Sequence, residues 1–168
     1  MWEWCRGSLD HLAQWLRIRG RPAGTRAFGE WGERLAVRHL KRNGYRLVMT
    51  NFTVPVGHRL DGRLVTGEID IVAYDESAAA PVLTFVEVKT RSGDLLATPE
   101  SAIDLRKRRQ ILRAARAYRR LLRLSDEPYR FDVIAIVAPP GGSVEVRLKR
   151  GYFSEDDLGR VAHWGPQN

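Results

Sequence analysis

GEIDIVAYDESAAAPVLTFVEVKT, residues 67–90, has the apolar pattern of two strands joined by a turn, yet Glu68, Asp70, Glu87 and Lys89 stand among its Val, Ile, Leu and Phe residues. Ionised groups taken from water into an apolar sheet lose stability unless they are paired or bound to a cation. Residues two apart on a strand share a face, which aligns Glu68 with Asp70 and Glu87 with Lys89. A register with Tyr74 opposite Leu83 also sets Asp70 opposite Glu87, with Cβ atoms about 5 Å apart. Two carboxylates so placed repel unless they share a proton or a cation bridges them, and hard oxygen ligands of this kind suit Mg²⁺ or Mn²⁺. Lys89, one pleat on, would sit where it holds a phosphate oxygen and offsets charge developing in phosphodiester hydrolysis. The rival reading is a set of salt bridges on a solvated sheet face. Ile69, Ile71, Phe85, Val86 and Val88 speak against it, because apolar residues on both faces mark a covered, central strand.

Outward from this hairpin, FGEWGERLAVRHLKRNG (28–44) repeats Trp31, Leu35, Ala36 and Leu40 at helical spacing and closes with Gly44 as a C-cap. Glu33 falls on the face of Ala36, Val37 and Leu40, away from Arg34, Arg38, Lys41 and Arg42, and so adds another inward carboxylate. YRLVMTNFTV (45–54) reads as a strand and PVGHRLDGRLVT (55–66) as a Gly/Pro-punctuated loop. LATPESAIDLRKRRQILRAARAYRRLLRL (96–124) predicts a long helix with Thr98 as N-cap and Pro99 in its first turn. RFDVIAIVA and SVEVRLKRG, joined by PPGG, predict a second hairpin, and the polar tail beyond Phe153 is expected at the periphery. The order helix, strand, hairpin, helix, hairpin points to a single α/β domain, a central mixed sheet flanked by helices, over residues 26–153. Residues 1–25 are a Trp- and Arg-rich amphipathic or tail segment, and 154–168 a C-terminal tail.

The composition narrows the partners. A chain of 168 residues with a formal charge of +8 belongs with proteins whose partners are polyanions. Cys5 is the only cysteine, which excludes an internal disulfide and a cysteine-based zinc site and suits a reducing cytoplasm. No apolar run near the start is long enough for a signal peptide or membrane span, so obligate membrane association is not expected. Between Leu105 and Leu124 stand nine basic residues and no acid, a bias that calls for a counter-anion such as nucleic-acid phosphate. Arg91, Arg106, Lys107, Arg108, Arg109, Gln110 and Arg113 are the candidate contacts, with Lys107 and Gln110 nearest the acidic site. Base-reading motifs are not recognisable in the sequence, which favours recognition of backbone or shape.

GEWGERLAVRHLKRNGYRLVMTN, GEIDIVAYD, TFVEVKTRSG and RFDVIAI together resemble the YraN family of bacterial predicted endonucleases, within the PD-(D/E)xK nuclease superfamily and similar to Holliday junction resolvases. The resemblance runs from about Gly29 to Phe153. It implies the restriction-endonuclease-like fold, with Asp70 and Glu87 as metal ligands, the Val88 carbonyl as a third oxygen, Lys89 as the catalytic lysine and Glu33 assisting. Glu68 belongs to the GEID motif and is a secondary metal candidate. Residues 55–66 look like an insertion before GEID, and the Trp-rich N-terminus has no counterpart. The expected activity is divalent-metal-dependent hydrolysis of DNA, branched or single-stranded, in repair or recombination. Pairing into a homodimer, as resolvase-like relatives do to cut symmetric junctions, is an arrangement the resemblance allows. The alternatives are a nucleic-acid-binding protein that keeps the fold without turnover and, ranked last, a membrane-surface adaptor acting through residues 1–20.

Overall fold

The computed structural model describes residues 22–93 and 103–158. The expected N-terminal amphipathic segment up to residue 21, the Thr98 cap with Pro99, and the tail from residue 159 lie outside the described residues. Helix α1 (Thr25–Arg42) buries Trp31, Leu35, Ala36 and Leu40, the stripe that the spacing predicts. Asn43 caps it, its side-chain amide donating to the His39 carbonyl at 2.8 Å, and Gly44 follows in the left-handed conformation at φ +82° that ends the helix.

Strands β1 (Tyr45–His58) and β2 (Leu64–Asp75) form an antiparallel pair, and β3 (Val82–Arg91) returns antiparallel beside β2. Helix α2 (Leu105–Leu121) follows, and β4 (Tyr129–Val137) then pairs parallel with β3 before β5 (Glu145–Phe153) closes an antiparallel edge. The five strands lie in the order β1-β2-β3-β4-β5, so β3 is central and the sheet is mixed. A single α/β domain with a helix on each face results, as the element order predicts.

Each face has its own core. Under α1, Trp31, Leu35 and Leu40 pack on Ile71, Ala73, Val86, Ile134 and Ile136. Under α2, Ile111, Leu112, Ala115 and Tyr118 pack on Val54, Ile69, Val72, Phe85 and Phe131, with the Tyr118 ring edge-on to Phe52 and Phe85. Two glycines set how closely the helices approach. A Cβ at Gly32 of α1 would fall 1.8 Å from Thr90 Oγ1 on β3, and one at Gly67 of β2 would fall 2.9 Å from Ala114 Cβ on α2. Only the missing side chains let both helices sit this near the charged hairpin.

Three expectations need correction. The stretch 55–66 is not a loop: Pro55 pairs with Thr66, Gly57 with Val65 and His58 with Leu64, and the strands turn only over residues 59–63. Pro55 is tolerated because β1 is an edge strand, where a missing N–H breaks no inner ladder, and the register shifts between Pro55 and Gly57. Helix α2 begins at Leu105, with Asp104 as N-cap accepting from the Lys107 N–H at 2.7 Å, and Ile103 is a bend. The segment after Phe153 is not wholly peripheral, because Leu158, in a 3₁₀ turn (Asp156–Leu158), is buried in the core under α2.

Candidate functional site

The β2–β3 ladder runs from Asp75 opposite Val82 to Ile71 opposite Val86, with Tyr74 opposite Leu83. One further step in that register brings Asp70 across from Glu87, the juxtaposition the sequence predicts. Here the backbone ladder gives way to a side chain, for Asp70 Oδ2 accepts the Val88 N–H at 2.6 Å. Strict alternation also fails at this point. Ile69 belongs to the core under α2 and Ile71 to the core under α1, although residues two apart ordinarily share a face.

Glu87 is 3% exposed. Its Oε1 accepts from Lys89 Nζ at 2.7 Å and lies 3.2 Å from Lys107 Nζ, which reaches it from the first turn of α2. Its Oε2 is buried and, among the described residues, has no hydrogen-bond partner. Burial, followed by the Glu87 charge, pushes the Asp70 carboxyl up to about 7, against the opposing pull of the Val88 N–H, Lys107 and Lys89. Two acids therefore share one small volume, with two ammonium groups on one oxygen and none on another. Both lysines keep about a third of their side-chain surface in water, at 31% and 28%, so they stay within reach of an incoming anion.

Glu33 is half-buried on α1, at the rim rather than within the cluster. Its contact is Asn51, whose Nδ2 lies 3.4 Å from Glu33 Oε2. Asn51 has φ +53° in the middle of β1, between the pairs Thr50–Ile71 and Phe52–Ile69, and so stands across from Asp70. The signal was present in the sequence: Asn is among the few side chains that tolerate the left-handed region, and it interrupts an otherwise apolar and β-branched strand. Glu68 is exposed on β2 and pairs through its backbone with Thr53. Among the described residues no three His, Cys, Asp or Glu side chains lie together at metal-binding spacing. The side-chain donors available to a cation at this point are Asp70 and Glu87. An orphaned buried carboxylate oxygen beside a second carboxyl is the donor set that a hard divalent cation satisfies.

The basic candidates divide by direction. Arg106, Arg109 and Arg113 are exposed on α2 and, at positions i, i+3 and i+7, form one stripe. Arg91 is exposed at the end of β3. Arg108 turns the other way, donating to the Ile103 carbonyl and lying 4.8 Å from the Tyr152 ring centre. Gln110 donates to the Thr66 carbonyl at 2.8 Å and ties α2 to β2.

A second buried acidic cluster, missed by sequence reasoning, joins Asp75 at the end of β2 to Asp132, which stands opposite Val86 in the β3–β4 ladder. Asp132, 1% exposed, accepts from Tyr45 Oη at 2.7 Å, from Arg130 Nε at 2.7 Å and from the Gly151 N–H at 2.8 Å. Asp75, 3% exposed, accepts from Arg130 at 2.6 Å, from Arg150 at 3.2 Å, and from the hydroxyl and N–H of Ser77. Burial alone would raise the Asp75 carboxyl, but the Ser77 and Arg130 bonds outweigh it and hold it well below the usual range.

The sequence profile of the Uncharacterised protein family UPF0102 matches residues 32–136, from α1 through β4 and across both halves of the acidic site. A UPF0102 protein of Symbiobacterium thermophilum is 38% identical over 131 residues, covering 77% of this chain and 98% of the relative. One of Syntrophotalea carbinolica is 40% identical over 130 residues, covering 77% and 94%, and one of Solibacter usitatus is 36% identical over 147 residues, covering 88% and 98%. With that extent of matching in both profile and relatives, the chain belongs to the UPF0102 family.

Proposed function

We propose that the protein is a divalent-metal-dependent endonuclease of the PD-(D/E)xK type, with a restriction-endonuclease-like fold, hydrolysing phosphodiester bonds of branched or single-stranded DNA. The observation that carries this reading is Glu87 Oε2: a buried carboxylate oxygen without a partner among the described residues, held beside Asp70 in a basic protein. Asp70, Glu87 and the Val88 carbonyl would hold Mg²⁺ or Mn²⁺, with Glu68 as a secondary candidate. The bound cation supplies Lewis acidity at the scissile phosphate. Lys89 is held by Glu87 with about a third of its side-chain surface in water, so it can exchange that carboxylate for a phosphate oxygen and offset negative charge in the transition state. Lys107 does the same from α2. Glu33 assists from α1 through Asn51. The exposed stripe of Arg106, Arg109 and Arg113 takes the substrate backbone beyond the scissile bond, with Arg91 at the strand end.

A cytoplasmic location fits both the DNA substrate and the single Cys5, and among the described residues no helix is long and apolar enough to cross a membrane. Two protomers cutting symmetric junctions as a homodimer complete the proposal.

One observation favours a second reading. Lys89 and Lys107 already balance the charges of Asp70 and Glu87, so the fold tolerates this site without a cation and could bind nucleic acid without turnover. A labelled forked or single-stranded DNA, incubated with Mg²⁺ or Mn²⁺ or with EDTA, separates the two. Cleavage that requires the metal and disappears in Asp70→Ala supports the nuclease. Binding without cleavage supports the second reading, and cleavage that survives the substitution comes from a contaminant.

A further inference from the structure

Beyond the Gln110–Thr66 bond to α2, the β1–β2 hairpin continues as an arm that packs on no other element among the described residues. Every residue from Gly57 through Leu64 is exposed. The tip is nonetheless ordered by the Arg59 N–H to Arg63 carbonyl bond at 2.8 Å and the Gly62 N–H to Arg59 carbonyl bond at 2.9 Å. At its end Leu60 has no cover at all, at 103% relative exposure, and the exposed Arg59 and Arg63 belong to the same turn. Arg63 is held 3.7 Å from Asp61, with 80% of its own side chain in water.

A two-stranded ribbon with no hydrophobic underside gains little from folding on itself, and a fully exposed Leu costs solubility without adding to any core. Two exposed arginines in one turn with an exposed aliphatic side chain form the combination that proteins set into a nucleic-acid duplex, where cations hold the phosphates and the wedge parts a base step. Position supports the same occupant. The arm leads directly into the site along β2, with Leu64 six residues from Asp70, about 20 Å at strand rise, or roughly six base pairs of duplex. Along that line Gln110 ties α2 to the arm's base at Thr66, and Arg113 is exposed one turn further along the helix.

We infer that residues 57–64 are a substrate-reading arm that docks on duplex DNA next to a branch point, Arg59 and Arg63 on the phosphates and Leu60 inserted at the unstacked step. This rests on the nuclease reading above and narrows it, because an arm that grips duplex some 20 Å from a cutting site selects branched over wholly single-stranded DNA.

Binding in EDTA isolates the arm from catalysis. The full chain is titrated by anisotropy against a forked duplex carrying 2-aminopurine at the branch and against a single strand of equal length. For the double substitution Arg59→Ala/Arg63→Ala, the ratio of forked to single-strand affinity is expected to fall about tenfold. The salt slope on the fork should drop by about two. Arg59→Lys/Arg63→Lys should recover most of the affinity, and Leu60→Gly should abolish the rise in 2-aminopurine fluorescence that marks unstacking. All these side chains are exposed, so the fold is not at stake. An unchanged affinity ratio in the alanine variant, or an unchanged fluorescence rise with Leu60→Gly, overturns the inference and leaves the cleavage reading standing. Arm-dependent binding by a protein that never cleaves in Mg²⁺ or Mn²⁺ upholds the arm and removes the nuclease.

Discussion

The sheet carries two buried acidic clusters, and they solve the same electrostatic problem in opposite ways. At Asp75 and Asp132 the polar partners close around both carboxylates: two arginines, a tyrosine, a serine and a backbone N–H. At Asp70 and Glu87 one oxygen takes two lysines, another takes a backbone N–H, and Glu87 Oε2 takes nothing among the described residues. Burial of charge is common to both, so burial alone does not mark a working site. Incomplete satisfaction does: a fully bonded network gains nothing from a ligand, whereas an orphaned oxygen beside a like charge is stabilised by any cation that reaches it.

The sharpest way to break this contrast is to substitute both clusters. Asp132→Ala leaves Tyr45 Oη and Arg130 Nε without the buried carboxylate they donate to and should cost about 3–5 kcal/mol of stability, read as a lowered denaturation midpoint. Glu87→Gln should leave stability within about 1 kcal/mol, because both lysines rehydrate, while reducing cleavage by roughly 10²–10³-fold. A Glu87→Gln protein as unstable as Asp132→Ala would make the two clusters equivalent and remove the argument for a cation.

Mg²⁺ or Mn²⁺ supplies the next effect. At a concentration a hundredfold above its dissociation constant, a cation that binds only the folded chain adds about 2.7 kcal/mol. The thermal midpoint should rise in the wild type and in an Asp75→Asn variant, and not in Glu87→Gln.

Acidity should move the two clusters in opposite directions. The Asp75 carboxyl is held below its ordinary 3.8, so its contribution is present above about pH 4 and is lost as pH falls through the folded value. The Asp70 carboxyl is raised from 3.8 to about 7, so its contribution is present below about pH 4 and is lost as pH rises towards 7 in metal-free protein. Asp70→Asn should flatten the stability profile between pH 4 and 7, and Asp75→Asn the profile below pH 4, both read by chemical denaturation in EDTA. The smallest effect is expected at Asn51. Asn51→Gly keeps the left-handed backbone and removes only the long contact to Glu33, which should reduce cleavage by less than about tenfold.

Much of this architecture is legible in the residues themselves. The register with Tyr74 opposite Leu83, supposed from the sequence, is the one the hairpin adopts. The α1 stripe and the central place of β3 follow from periodicity and from apolar residues on both faces. The failures have physical causes. Pro55 and Gly57 signal a break in an inner strand, but on an edge strand they signal only a bulge, and edge position depends on the whole sheet. The early start given to α2 followed Thr98 and Pro99, whereas Asp104 is an equally good cap closer to the apolar stripe. The Asp75–Asp132 network was invisible because Arg130 and Arg150 come from 55 and 75 residues along the chain, a distance over which local pattern carries no information. Lys107 was placed near the site, yet its direct contact with Glu87 depends on the closeness of helix to sheet that Gly67 permits.

That closeness bears on when the protein becomes competent. Asp70 and Glu87 meet within one hairpin, from residues a short loop apart, whereas Lys107 arrives on the crossover helix that joins two parallel strands. Contacts between neighbours in sequence form early and crossover contacts late. A growing chain that has emerged only as far as β3 therefore carries two repelling acids with Lys89 alone to calm them, and docking of α2 brings the second counter-charge. On the nuclease reading proposed above, an unfinished polypeptide leaving the ribosome would lack the second lysine of the site until the crossover helix docks.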